Sequence, residues 1–248
     1  MIIPRTILRT IAVALICIAI PSAGICQEFT FSLGDEESLS ARSIQLILLV
    51  TVLSLAPGIV IMITCFPFLV TVLAILRQAI GLQQSPPNML IVSLAIFLTY
   101  FVMEPVFLEA WDTGINPLIE ESIDTETAIV RALAPFRNFM AERVDSETFV
   151  SLAELRPDPL AIQAGAEAPL SVLIPSFLLS EIARAFQIGF LIFLPFLIID
   201  LVVAAILMSM GMMMVPPAIV SLPFKLAFFV VADGWSLIAS ALVRSYNP

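Results

Sequence analysis

Histidine is absent from all 248 residues. That removes the commonest general base and the commonest metal ligand together. Charge is scarce as well. Asp, Glu, Lys and Arg make up 12% of the chain, against about 25% in an ordinary soluble domain. The three cysteines, Cys17, Cys26 and Cys65, have no metal-site spacing and imply no disulfide framework. No phosphate-binding loop, no G-x-S-x-G, no zincin motif and no Cys–His arrangement is present. Asp and Glu at 120, 121, 124, 126, 142, 145 and 147 read as a solvated acidic surface, not as paired catalytic carboxylates. The expectation is a protein that is not an enzyme and holds no cofactor or metal.

What is present is apolar. Hydrophobic residues are 60% of the chain, which marks a membrane protein by composition. One long apolar stretch runs from Phe186 to Met210, 25 residues with one charge, Asp200. As a helix it is about 37 Å long, against roughly 30 Å of bilayer hydrocarbon. Pro195 lies inside it and invites a kink. A break at Gly211-Met-Met-Met-Val-Pro216-Pro217 is followed by a second apolar run, Ala218 to Val243, charged only at Lys225 and Asp233.

Read from the N-terminus, residues 1–26 have the pattern of a secretory leader: Arg5 and Arg9, a short apolar core from Ile11 to Ile20, then Pro21-Ser-Ala-Gly24. Cleavage after Ala23 and after Gly24 both fit. The leader is taken as 1–24, and an uncleaved first helix is the alternative. Residues 25–108 form a first hairpin. Its first arm, 44–76, is interrupted by Pro57-Gly58 and Pro67 and is predicted to be kinked or broken. Its second arm is 89–108. Residues 109–171 are acidic: from 104 to 167 the chain holds thirteen acids and four arginines, the whole net charge of −9. Such a segment suits neither nucleic acid nor anionic lipid. A helix is predicted over 128–144, with Ile129, Leu133, Phe136, Phe139 and Met140 near one face, and a shorter one after 146. Residues 172–248 form the second hairpin. The fold expected is an all-α membrane protein of two long kinked hairpins, four apolar helices, with a helical acidic segment between them. A leader places the mature N-terminus and that segment in the periplasm. The positive-inside signal is weak, because Arg77 is the only charge in the intervening turn.

Both turns read Gly-x4-Pro-Pro: Gly81 to Pro86-Pro87, and Gly211 to Pro216-Pro217. Either the two hairpins share a backbone shape, or two common turn residues coincide. The second turn carries Met208, Met210, Met212, Met213 and Met214, five methionines in seven residues. Scattered methionines are packing filler. At a turn, each one left in water forgoes about 1.5–3 kcal/mol of burial. The turn must then be covered by protein, lipid or copies of itself, and methionine conforms well to irregular surfaces. A lone mid-membrane charge costs about 2.5–3.5 kcal/mol on insertion scales. Counted from the turn, Asp200 and Lys225 lie about 21 Å and 16 Å up opposite arms. A pair is predicted, within one subunit or between neighbours, with a proton relay through Asp200 as its rival. Glu181 and Arg184, three apart, are expected to pair with each other or with partner subunits. Asp233 has no assigned partner.

The stretch AFQIGFLIFLPFLIIDLVVAAILMSMGMMMVPP, followed by SLPFKLAFFVVADGW, resembles the FliP family of the flagellar export gate. SLAPGIVIMITCFPFLVTVLAILRQAIGLQQSPPN resembles the other block of that family. The resemblance implies about five copies assembled with FliQ-like and FliR-like subunits. They would form a channel for unfolded flagellar subunits, in the inner membrane and basal body, with the gate largely above the bilayer plane. It implies that Met212, Met213 and Met214 form a gasket, with Met208 and Met210 close by, and that transport energy comes from another protein. It also makes 109–171 an oligomerisation surface, with Phe136 and Phe139 as contact candidates. The equivalent subunit of a virulence injectisome is the near alternative. A small-solute secondary transporter of repeated hairpins and a passive scaffold are the distant ones.

Overall fold

A computed structural model of the chain describes residues 39–82, 85–156, 165–212 and 214–246. The leader expected at 1–24 lies outside the described residues. Among those described, the structure is helical throughout, without strands. The chain divides into two compact units, Met1–Val50 and Thr51–Pro248. The described part of the first is the beginning of α1, Leu39–Met62. Described side chains of α1 from Ser43 to Met62 are exposed and, from Ile44 on, mostly large and apolar. The helix is long and apolar enough to cross a membrane.

The expected break in the first arm comes later than Pro57-Gly58. α1 runs through those residues and ends at Met62, and α2 starts at Phe66 (Phe66–Ile80). Pro67 falls in the first turn of α2, where no backbone N–H is needed. The arm is therefore two helices. α2, at 15 residues, is about 22 Å long and short of a span. It is the centre of the second unit. Phe68, Val72, Leu76 and Ile80, with Leu69 and Leu73, fall at i+4 spacing and are buried. α3 (Asn88–Ala110), α7 (Leu170–Ser209) and α8 (Pro217–Val231) pack around it. At Gly189 of α7 a Cβ would stand 2.5 Å from Ile75 Cδ1, so glycine is what lets α7 lie this close to α2.

After α3, a π-helical turn, Trp111–Ile115, leads into the short α4, Asn116–Ile119. The acidic segment then folds as α5 (Thr125–Arg143) and α6 (Ser146–Glu154). Asp124 and Asp145 cap these helices by accepting from the backbone N–H of Thr127 and Thr148. The buried face of α5 follows the expected one for Leu133, Phe136, Phe139 and Met140, which are half-buried or buried, but Ile129 is exposed, and Ala128 and Pro135 are buried. The small residues Ala128 and Ala132 face Gly114, where a Cβ would sit 2.6 Å from the Ala132 methyl. At this end of α5 close helix approach selects the inward residues. A second core joins Met140, Phe149, Ala153, Val172, Leu173 and Phe177, seating this lobe on the start of α7.

α7 is one helix of 40 residues through Pro175 and Pro195, about 60 Å long. The returning arm is α8 and α9 (Gly234–Arg244), bent by 61°. Asp233 occupies the bend in the left-handed region, φ 49°. Among the described residues three helices qualify as membrane spans by length and composition, and the bent pair makes a fourth if counted as one.

Candidate functional site

α7 ends at Ser209, and Gly211 takes φ 74°, a conformation that favours glycine. The Gly211 N–H donates to Met208 O at 3.0 Å, and the Met212 N–H donates to Leu207 O at 2.9 Å. These are the paired bonds of a Schellman closure, and they fix the helix end. Met208, Met210 and Met212 are exposed, and Met214 is 97% exposed. Met213 lies outside the described residues. Methionine side chains that their own chain leaves uncovered thus lie on and beside a closed helix end.

Gly81 ends α2 with φ 91° and the first of these two bonds, its N–H donating to Gln78 O at 3.0 Å. The proline ends of the two turns differ. α3 starts after Pro87, whereas α8 starts at Pro217 itself, with Pro216 before it. Ser85–Pro86 is a cis peptide bond. Arg77 Nη1 reaches across the first turn to Pro86 O at 3.3 Å and to the Asn88 side chain.

Below the methionine turn, Lys225 Nζ lies 2.6 Å from Asp200 Oδ2. Ser221 Oγ donates to Asp200 Oδ1 at 2.5 Å. Lys225 is 5% exposed, and its ammonium donates also to Ala79 O at 3.2 Å. That carbonyl belongs to the last turn of α2, the negative end of the helix. One ammonium therefore joins α7, α8 and the end of α2, just before Gly81. The arrangement satisfies two of the three ammonium donors and both carboxylate oxygens.

Glu181 was expected to meet Arg184 or a partner subunit. The structure places it elsewhere. Its side chain is fully buried and accepts from Arg143 Nε at 3.2 Å and from the Tyr246 hydroxyl. Burial in its own chain leaves Glu181 unavailable to another subunit. Arg184 is half-buried, and its charge helps to hold the Asp145 carboxyl below the usual carboxylate range, behind the larger effect of the Thr148 hydrogen bonds. The three-residue spacing made Glu181 and Arg184 neighbours, but a tertiary partner 38 positions earlier holds the carboxylate. Phe136 and Phe139, the candidates for subunit contact, are half-buried against their own chain. Phe136 meets Phe107 edge-on at 5.7 Å, and Phe139 meets Phe177 at 5.8 Å and stacks on Tyr246 at 6.0 Å. Arg143, Ser221 and Tyr246 were not singled out from sequence. The only local signal for Tyr246 was an aromatic in a short polar tail.

Among the described residues, no group of three or more His, Cys, Asp or Glu is placed to hold a metal ion. Residues 49–242 match the model of the FliP family. The flagellar biosynthetic protein FliP of Caulobacter vibrioides is 49% identical over 247 residues, covering 98% of this chain and 91% of that protein. The protein of the same name from Agrobacterium fabrum is 46% identical, covering 97% and 98%. That of Bacillus subtilis is 44% identical over 220 residues, covering 87% and 97%.

Proposed function

The chain belongs to the FliP family, and from that premise we propose that it is a membrane-embedded, pore-forming subunit of the flagellar protein export apparatus. About five copies surround an axis together with FliQ-like and FliR-like subunits. Met208, Met210, Met212, Met213 and Met214 of each copy converge there as a gasket that parts around an unfolded flagellar subunit and closes behind it. The mature N-terminus and the acidic lobe face the periplasm of a cell whose inner membrane and basal body hold the complex. The chain supplies the channel, and other export proteins supply the energy.

The observation that carries this reading is the exposure of the turn methionines above a closed helix end. Apolar side chains on a fixed backbone call for a covering surface. Copies around an axis provide one that is apolar, deformable and self-complementary. The Asp200–Lys225 pair, tied to Ala79, holds the arms of the hairpin while the tip yields.

The test is native mass spectrometry of the chain co-expressed with its partners, followed by ion conductance. Alanine at Met212, Met213 and Met214 together is expected to leave the mass of the complex unchanged and to raise ion leak. A chain that stays monomeric or dimeric beside its partners would remove the gasket. So would an assembled triple variant that is as tight as the parent.

A further inference from the structure

Arg143 and Glu181 meet away from the methionine turn, and the export reading makes no use of them. Both halves of this pair reach the far end of the chain. Arg143 Nη1 donates to Ser245 O at 2.8 Å, and its guanidinium carbon stands 3.9 Å from the centroid of the Tyr246 ring. The Tyr246 hydroxyl donates to Glu181 Oε2. Burial, with the Glu181 charge beside it, raises the phenol above its ordinary range and keeps it a neutral donor. The same ring stands edge-on to Phe68 of α2 at 5.4 Å and stacks on Phe139 of α5. The tail continues from α9 as a turn, with Tyr246 N–H donating to Val243 O at 3.1 Å. Arg143 Nη2 is buried with no hydrogen-bond partner among the described residues, so the guanidinium has little to replace the ring face.

We propose that Ser245 and Tyr246 form a C-terminal latch, a positioning element that completes the Arg143–Glu181 pair. It locks the acidic lobe and the start of α7 onto α2 and α9 in the form that enters the complex. Until Ser245 and Tyr246 are seated, two charges lie in the interior with their partners incomplete. Such groups are costly when left unpaired. The docking of the lobe is therefore complete only with these two residues in place. Its role in assembly rests on the export-apparatus reading, while the docking itself does not.

The latch is tested with the full chain in detergent by hydrogen exchange, and by its share of the multi-subunit complex when partners are co-expressed. Tyr246→Ala is expected to speed exchange about tenfold or more at 141–145 and 242–246. The buried part of α3, 95–103, stays unchanged, and the share in complex falls by about half or more. Tyr246→Phe keeps the ring over Arg143 and loses only the hydroxyl. A smaller rise of about threefold at the same sites is expected, and this variant carries the test if Tyr246→Ala does not accumulate. Unchanged exchange in Tyr246→Phe and in any Tyr246→Ala recovered overturns the latch. Local loosening with a parental share of complex overturns its role in assembly. Should the parent chain form no multi-subunit complex, the export reading fails, and exchange still decides the latch.

Discussion

Among the described residues two ion pairs lie in the interior, and they differ in what they join. Lys225–Asp200 links arms of one hairpin, 25 positions apart, and borrows a carbonyl from the end of α2. Arg143–Glu181 links a lobe to a long helix, and through Ser245 it reaches 102 positions along the chain. The Asp200 side chain keeps 29% of its exposure, while Glu181 keeps none. The first pair is open mainly at its carboxylate, and the second only at its guanidinium, where Arg143 keeps 13%. If the methionine turn is a gasket and Tyr246 a latch, the more open pair lies beside the part that moves and the more closed one in the part that holds.

Breaking the closed pair should have the larger effect. Glu181→Ala leaves Arg143 buried without its carboxylate, a loss of about 3–5 kcal/mol. Thermal unfolding in detergent should show it plainly, with less folded chain recovered. A change within error would mean that water reaches the site. Lys225→Ala should fall at or below the low end, about 3 kcal/mol, because Ser221 still donates to Asp200. The exchange Asp200→Lys with Lys225→Asp sharpens the comparison. If pairing is the role, secretion should return to a large part of the parental level, although Ala79 O loses its donor. An assembled double variant that secretes nothing would favour a proton relay at Asp200.

The smallest effect concerns the helix cap of the lobe. Hydrogen bonds from the Thr148 N–H and hydroxyl, with Arg184 nearby, hold the Asp145 carboxyl below its ordinary value of 3.8. A depressed folded pKa stabilises above the unfolded value, and that contribution disappears as pH falls through the folded one. Asp145→Ala should therefore lower lobe stability modestly at pH 7 and flatten the acid limb below about pH 4. An acid limb identical to the parent would assign that limb to other carboxylates.

Much of this was legible before any coordinates. Apolar runs located the long helices, and glycine located both helix ends. Counting from the turn placed Asp200 and Lys225 within reach because both ride on arms whose start is known. The other pair was not legible for the converse reason. Nothing in local spacing relates Arg143 to Glu181 or to Tyr246, and the i+3 neighbour Arg184 was the only partner a helix pattern can offer. The burial of α2 was hidden too. At 15 residues, all but Arg77, Gln78 and Thr71 apolar, it reads as part of a membrane span. Only the break before Phe66, which depends on where Pro67 falls in the turn, separates it from α1.

The closure of α7 has a consequence in time. With Gly211 and Met212 bonded back to the helix, the softness at this tip lies in side-chain torsions instead of backbone rearrangement. Exposed side chains change rotamer in picoseconds to nanoseconds, whereas loops take nanoseconds to microseconds and domain motions reach milliseconds. In the proposed gasket such side chains would follow the contour of a passing chain, residue by residue, without waiting for the frame to move.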